Sequence, residues 1–161
     1  DYLEIIRRKT AALTSVCCEL GAWASNASAE QVRQMAVFGM DLGMAFQIVD
    51  DPLDLTGTEN ELGKTVVRDA DLGKWTLPVI RFRDTADAEE KSRLLAVMRG
   101  NNDDRTAGLR RLLAGSDAVT YAMEAAQGYV RSALDCLAEL PASEARAGLS
   151  AAAEFIVTRT H

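Results

Sequence analysis

The chain has 161 residues, enough for one domain with a sizeable core. Apolar residues make up 48% and charged residues 26%, which is a globular composition and not a disordered one. The formal net charge of −6 argues against general nucleic-acid binding, which needs a basic footprint, and suits a cation-dependent site better. The three cysteines, Cys17, Cys18 and Cys136, cannot all pair within one chain, so a reduced, cytoplasmic setting is expected. The only histidine is His161, so neither a zinc site nor histidine-based catalysis has support. With no run of 18 apolar residues and no signal peptide, the sequence predicts a soluble protein without an integral membrane segment. It begins at Asp1 and not at methionine, which suggests a processed or excised piece.

Nearly every segment reads as helix. Tyr2 to about Ala24 carries the apolar stripe Leu3, Ile6, Leu13, Val16 and Leu20, with Arg7, Arg8 and Lys9 grouped near its start. Asn26 to Ser28 is a polar break, and Ser28 with Gln31 fits the capping box of a helix running to about Leu55. On that helix Met35, Phe38, Leu42, Phe46 and Val49 form an apolar run, while Gly39 and Gly43 offer a smooth strip for close approach of another helix. Thr56 to Leu72 reads as a functional loop, longer than a compact domain normally tolerates. An apolar helix resumes from Trp75 to Phe82 with Pro78 in its first turn. Helices over about Ala88–Met98 and Asp104–Leu113 follow, separated by a turn at Gly100, Asn101 and Asn102. Ser116 or Asp117 caps the next, where Tyr121, Ala125, Tyr129, Ala133 and Leu137 repeat every fourth residue until Pro141 ends it. Ser143 opens a last helix with Leu149, Ala153 and Ile156 on one side. No repeat, low-complexity tract or linker divides the chain, so residues 1–161 are expected to lie in a single all-α domain.

The chemistry concentrates at Phe46 to Leu55, where an apolar helix runs into three aspartates. Asp50 and Asp54, four apart, project from nearly one helix face, with Asp51 displaced by about 100°. Five acidic residues and no basic one occur between Asp50 and Glu61, so like-charge repulsion needs compensation. Hard divalent cations favour carboxylate oxygens, and Mg²⁺ is typically held by one or two carboxylates together with substrate phosphates. Lys64, Arg68 and Lys74 follow and could hold the far side of such a phosphate. Taken alone, D-D-x-x-D is equally the pattern of an acidic helix end facing water. An EF-hand is excluded, because counting from Asp50 puts Pro52 at the third position and Leu55 where the invariant glycine belongs.

Several segments occur together in a familiar order. They are Tyr2-Leu3-Glu4-Ile5-Ile6 leading to Lys9-Thr10-Ala11, then Leu20-Gly21-Ala22, then Gly39 through Gly43 to Phe46-Gln47-x-x-Asp50-Asp51-x-x-Asp54. Leu62-Gly63-Lys64 with Asp69, and Gly73-Lys74-x-Thr76-Leu77-Pro78, complete the set. The chain thereby resembles the C-terminal half of the trans-isoprenyl diphosphate synthases, or polyprenyl synthetases. That resemblance covers most of residues 1–80 with specific motifs and continues more weakly to the terminus. It implies an all-α helical bundle of the isoprenoid synthase type around a deep cavity, usually dimeric, with two aspartate-rich motifs facing each other across the mouth. It also implies a Mg²⁺-dependent prenyltransferase that condenses an allylic diphosphate with isopentenyl diphosphate into a linear polyprenyl diphosphate. In that scheme Asp50, Asp51 and Asp54 are the second aspartate-rich motif and bind Mg²⁺. Lys9, Lys64 and Lys74 match the diphosphate-binding lysines, and Thr10 and Gln47 match polar positions near the reacting carbons. Asp69 orients the loop or Lys64, whereas Arg68 matches no family position and is read as solvent-facing. The bland readings are a basic surface for Lys9, beside Arg7 and Arg8, and satisfaction of a buried backbone group for Gln47.

Two departures qualify what the resemblance implies. Pro52 stands where the family places a branched aliphatic or aromatic residue. It removes the donor to the Ile48 carbonyl, so a kink is expected to re-aim Asp54 and weaken metal binding. The family's first aspartate-rich motif lies upstream of the segment matching Tyr2 and has no counterpart here. The chain alone is therefore expected to be inactive, to expose apolar faces, and to associate as a homodimer or with the missing N-terminal half. The intact gene product is expected to be about double this length. The alternative is a non-catalytic helical partner or regulatory subunit that keeps the fold.

Overall fold

The computed structural model describes residues 1–56, 74–100 and 102–159; for residues 52–56 and 102–104 the description is of the backbone alone. Among the described residues there is no strand, and the regular structure is all helical. It opens with α1 (Tyr2–Ile6), a π turn (Arg7–Ala11) and α2 (Ala12–Ala24), then α3 (Ala29–Thr56). The remaining helices are α4 (Leu77–Thr85), α5 (Ala88–Arg99), α6 (Asn102–Leu113), α7 (Ala118–Ala138) and α8 (Glu144–Thr158).

Local chemistry sets these boundaries. Asn26, at φ 56°, turns the chain after α2, and Ser28 and Gln31 close the expected capping box. The Gln31 N–H donates to Ser28 Oγ at 3.2 Å, and the Ser28 N–H donates to Gln31 Oε1 at 3.0 Å. Pro78 sits in the first turn of α4, where its missing N–H would be unsatisfied in any case. A second capping box, unforeseen from the sequence, links Asp87 and Glu90 at the start of α5. Ser143 Oγ accepts from the Arg146 N–H at 3.1 Å and starts α8.

The described residues form two compact units, the first comprising Asp1–Val49 with Glu124–Arg159 and the second the described part of Asp50–Met123. In the first unit α3 lies directly against the π turn and α2 along the glycine strip. A Cβ added to Gly39 would stand 2.5 Å from the Thr14 carbonyl oxygen, and one added to Gly43 2.5 Å from the Ala11 Cα. Only glycine permits this approach, as the sequence anticipated. Ser15 Oγ reinforces it by donating to the Ala36 carbonyl at 2.7 Å.

The single amphipathic helix expected over Tyr2–Ala24 is corrected by the π turn. Its extra residue rotates everything that follows by about 100° relative to an unbroken α-helix. Ile6 is buried, but the covered face then continues through Ala11 and Ser15 with Cys18 partly covered, not through Leu13 and Leu20. The side chains assigned to the core are instead exposed: Leu13 by 70%, Val16 by 46% and Leu20 by 56%.

In the second unit the core joins α4, α5 and α6 through Val79, Phe82, Leu94, Leu109 and Leu113, with Trp75, Val97 and Leu112 against them. Gly108 of α6 meets Val97 of α5, where a Cβ would come within 2.8 Å of the valine Cγ1. Along α7 the buried stripe is Ala118, Ala122, Ala126, Val130, Ala133 and Leu137. The expected stripe through Tyr121 and Tyr129 is thus displaced by one residue over its first half, because the small alanines and not the tyrosines take the covered positions. On α8, Ala153 and Ile156 are buried as the pattern required.

Candidate functional site

Within the first unit, the π turn brings Thr10 toward α3 and the glycine strip lets α3 come close enough to meet it. The Thr10 hydroxyl donates to Gln47 Oε1 at 2.9 Å, and Gln47 is only 8% exposed. Two positions separated by 37 residues are thereby joined through their side chains. Thr14 Oγ1 donates back to the Thr10 carbonyl at 3.3 Å, inside the same distorted turn. Lys9 projects outward and is exposed. Its neighbours are engaged elsewhere, since Glu4 accepts from Arg7 Nε at 2.6 Å and Arg7 NH2 at 2.8 Å, and also from Arg8. Hydrogen bonds from Arg7 and then Arg8 hold the Glu4 carboxyl down at about 2. Among the described residues no ion pair holds Lys9, so the basic cluster divides into two structural arginines and one exposed lysine.

Phe46, read from sequence as core, is 41% exposed on its own and carries Arg159 instead. The guanidinium lies 4.3 Å from the ring centroid, and Arg159 NH2 donates to the Phe46 carbonyl at 3.1 Å. The residue after α8 therefore ties down the backbone immediately before Gln47. Nothing in the local sequence signals that contact.

Asp41 was also missed. Its Oδ2 is buried with no hydrogen-bond partner among the described residues. Burial pushes the Asp41 carboxyl above its ordinary range, opposed by the Ser132 side chain. Burial first, and the Asp41 charge second, also raise the Tyr129 hydroxyl and the Cys136 thiol. All three cysteines are free thiols.

In the second unit, Asp50 is half-buried and Asp51 is 3% exposed. α3 continues through Pro52 to Thr56, so the proline does not end it. The Asp54 side chain lies outside the described residues, as do Lys64, Arg68, Asp69 and the expected loop. Lys74 is described and exposed, ahead of α4. Thr76 occupies the N-cap of α4 without a side-chain cap bond, and its buried Oγ1 has no hydrogen-bond partner among the described residues.

Among the described residues no group of three metal-ligating side chains occurs. What Asp50 and Asp51 offer is a pair of carboxylates, one almost fully enclosed, with no histidine or thiolate in the motif. That donor set fits a hard, oxygen-seeking divalent cation and does not fit zinc or copper. No helix among the described residues is long and apolar enough to cross a membrane.

The comparisons with known proteins agree with the motif order. Residues 1–114 match the polyprenyl synthetase family. The chain is 38% identical over 166 aligned positions to a geranylgeranyl diphosphate synthase of Sulfolobus acidocaldarius, covering 99% of the chain and 49% of that protein. Its fold superposes on geranylgeranyl pyrophosphate synthetase from Pyrococcus horikoshii with a TM-score of 0.88 at 35% identity, over 99% of this chain and 49% of that one. It also superposes on a polyprenyl synthase from Caulobacter crescentus, solved with calcium and isoprenyl diphosphate, with a TM-score of 0.83 at 34% identity, over 98% and 49%. The chain belongs to the polyprenyl synthetase family and has the all-α isoprenoid synthase fold in the part that corresponds to the C-terminal half. It spans about half the length of the curated relatives it matches.

Proposed function

We propose that this chain supplies one half of the catalytic cavity of a prenyltransferase that extends an allylic diphosphate with isopentenyl diphosphate. The observation that carries the reading is the Thr10–Gln47 hydrogen bond, which joins the K-T segment of the π turn to the F-Q-x-x-D-D segment of α3. Asp50 and Asp51 follow Gln47 by three and four residues on that helix.

In the reaction, the allylic C–O bond breaks and its electron pair leaves with the diphosphate. The double bond of isopentenyl diphosphate then attacks the allylic cation, a C–C bond forms, and a proton is lost to give a chain five carbons longer. Negative charge grows on the leaving group as it departs, so fixed positive charge aimed there stabilises the transition state more than the ground state. Lys9, Lys64 and Lys74 grip the diphosphate oxygens, and Asp50, Asp51 and Asp54 hold Mg²⁺. Bound there, Mg²⁺ supplies that positive charge without a proton donor. Thr10 points its proton at Gln47, leaving the hydroxyl lone pairs to face developing positive charge. Gln47 is fixed by the same bond, so neither dipole reorganises as the cation forms. No protein acid is needed for ionisation.

The 161 residues work in this scheme only with the half of the fold they do not contain, in a dimeric, cytoplasmic enzyme. A non-catalytic helical partner that keeps the fold is the second reading. Calorimetric titration with an unreactive allylic thiolodiphosphate tests the first. Binding is expected to require Mg²⁺ and to be lost in Asp50→Ala, and affinity independent of both would reject the assignment. Pro52→Ile is expected to tighten the Mg²⁺-dependent binding.

A further inference from the structure

Pro52 leaves a gap in the hydrogen-bond ladder of α3. Having no N–H, it cannot donate to the carbonyl of Ile48, four residues earlier. Ile48 is wholly buried, so bulk water does not take the missing donor's place. An interior proline normally kinks or breaks an α-helix. α3 nevertheless stays helical from Ala29 to Thr56, through the proline. The turn ahead of the gap carries Gln47, Asp50 and Asp51, so whatever holds that turn also holds the proposed site.

Arg159 grips this turn from the end of α8. Its NH2 donates to the Phe46 carbonyl at 3.1 Å, and its guanidinium carbon lies 4.3 Å from the centroid of the Phe46 ring. In an α-helix the Phe46 carbonyl is also the acceptor for the Asp50 N–H, and its two lone pairs let it serve both donors. A charged donor therefore stands on the ladder two residues before the carbonyl that has lost its own. The contact is not core packing, since Phe46 keeps 41% of its surface exposed. The arginine is itself anchored, because its N–H donates to the Phe155 carbonyl at 2.9 Å and α8 is seated through the buried Ala153 and Ile156. We infer that Arg159 is a positioning residue for the proposed reaction: it splints α3 ahead of the Pro52 gap, keeping Gln47 on Thr10 and Asp50 in helical register. What that register serves rests on the proposed function, but the splint itself is tested without ligand.

Amide hydrogen exchange is followed by NMR in the 161-residue chain and in Arg159→Gln, Pro52→Ile and the double variant. Arg159→Gln is expected to lower the protection of the Asp50 amide by at least about tenfold, the worth of a hydrogen bond from a charged donor. The amides of Leu137 in α7 and Leu94 in α5 are expected to keep theirs. Pro52→Ile returns a donor to the Ile48 carbonyl, so in that background the arginine substitution is expected to cost less than about twofold at Asp50. Mg²⁺-dependent affinity for the thiolodiphosphate should follow the same pattern, weakened about tenfold by Arg159→Gln and recovered when Pro52→Ile is added. A residue that merely stabilised the fold would lower protection everywhere, and closing the gap in α3 would not rescue it. The inference is overturned if Asp50 protection is unchanged in Arg159→Gln, if the loss is as large in the Pro52→Ile background, or if Leu137 and Leu94 lose protection alongside Asp50. It is equally overturned if the parent binds the thiolodiphosphate and Arg159→Gln binds it as tightly. Failure of the catalytic reading would instead show as the expected exchange pattern in four proteins that do not bind the thiolodiphosphate at all.

Discussion

Leu13, Val16, Leu20 and Trp23 of α2 repeat with a regular helical period and lie open, whereas Leu94 of α5 and Leu109 of α6 are completely enclosed among α4, α5 and α6. Both regions present aliphatic side chains at helical spacing on well-formed helices. They differ in what lies opposite. The second unit contains every helix its cluster needs, while the bulky face of α2 has no partner among the described residues. Apolar periodicity therefore reports that a face will be buried somewhere, and not that its cover lies in the same 161 residues.

The sharpest way to break that contrast is to truncate both sides of it. Leu94→Ala or Leu109→Ala is expected to cost about 2–5 kcal/mol of unfolding free energy in urea titrations. Leu13→Ala or Leu20→Ala in the isolated chain should stay within about 0.5 kcal/mol of the parent. An equal loss at both sites would mean that α2 is covered in solution.

The other face of α2 gives the next largest effect. Gly39→Ala or Gly43→Ala places a methyl group against backbone and is expected to cost about 1–3 kcal/mol. It should also separate Thr10 from Gln47, which a chemical-shift change confined to those two side chains would report. Removing a cap in the second unit is a milder test. Asp87→Ala is expected to cost about 1 kcal/mol, because it opens the capping box of α5.

The smallest effect concerns Asp41 and depends on pH. Its carboxyl is raised in the folded state, chiefly by burial, so ionisation there opposes folding. The penalty is absent below the ordinary carboxylate pKa, develops as pH rises through the raised value, and is complete above it. Asp41→Asn should therefore raise Tm at pH 7, and the gain should close as the pH falls toward about 4. A gain that persists unchanged at low pH would point to packing and not to charge.

Much of the fold was legible because its boundaries carry chemical marks. Ser28 with Gln31, Pro78 and Ser143 each announce a helix start, and Gly39 with Gly43 announce a close crossing. The Asp87–Glu90 box was equally written in the sequence and went unread. The π turn was not legible, since Arg7 to Ala11 contains no helix breaker, and its one-residue slip reversed the expected role of Leu13 and Leu20. On α7 the tyrosines drew the stripe one residue off, because aromatic spacing is more conspicuous than a run of buried alanines. At the site, family resemblance assigned Thr10 and Gln47 to polar positions near the reacting carbons, but nothing in the sequence announced their direct hydrogen bond across 37 residues. The same holds more strongly for Arg159 on Phe46 and for Asp41, whose partners come from distant helices that no local pattern names.

The most direct measurement of the proposed function is incorporation of radiolabelled isopentenyl diphosphate into longer prenyl diphosphates by the chain with and without the complementary half of the fold. Product is expected only when both halves and Mg²⁺ are present, and Asp50→Ala should abolish it. Turnover by the 161 residues alone, or assembled activity indifferent to Asp50→Ala, would contradict the proposal.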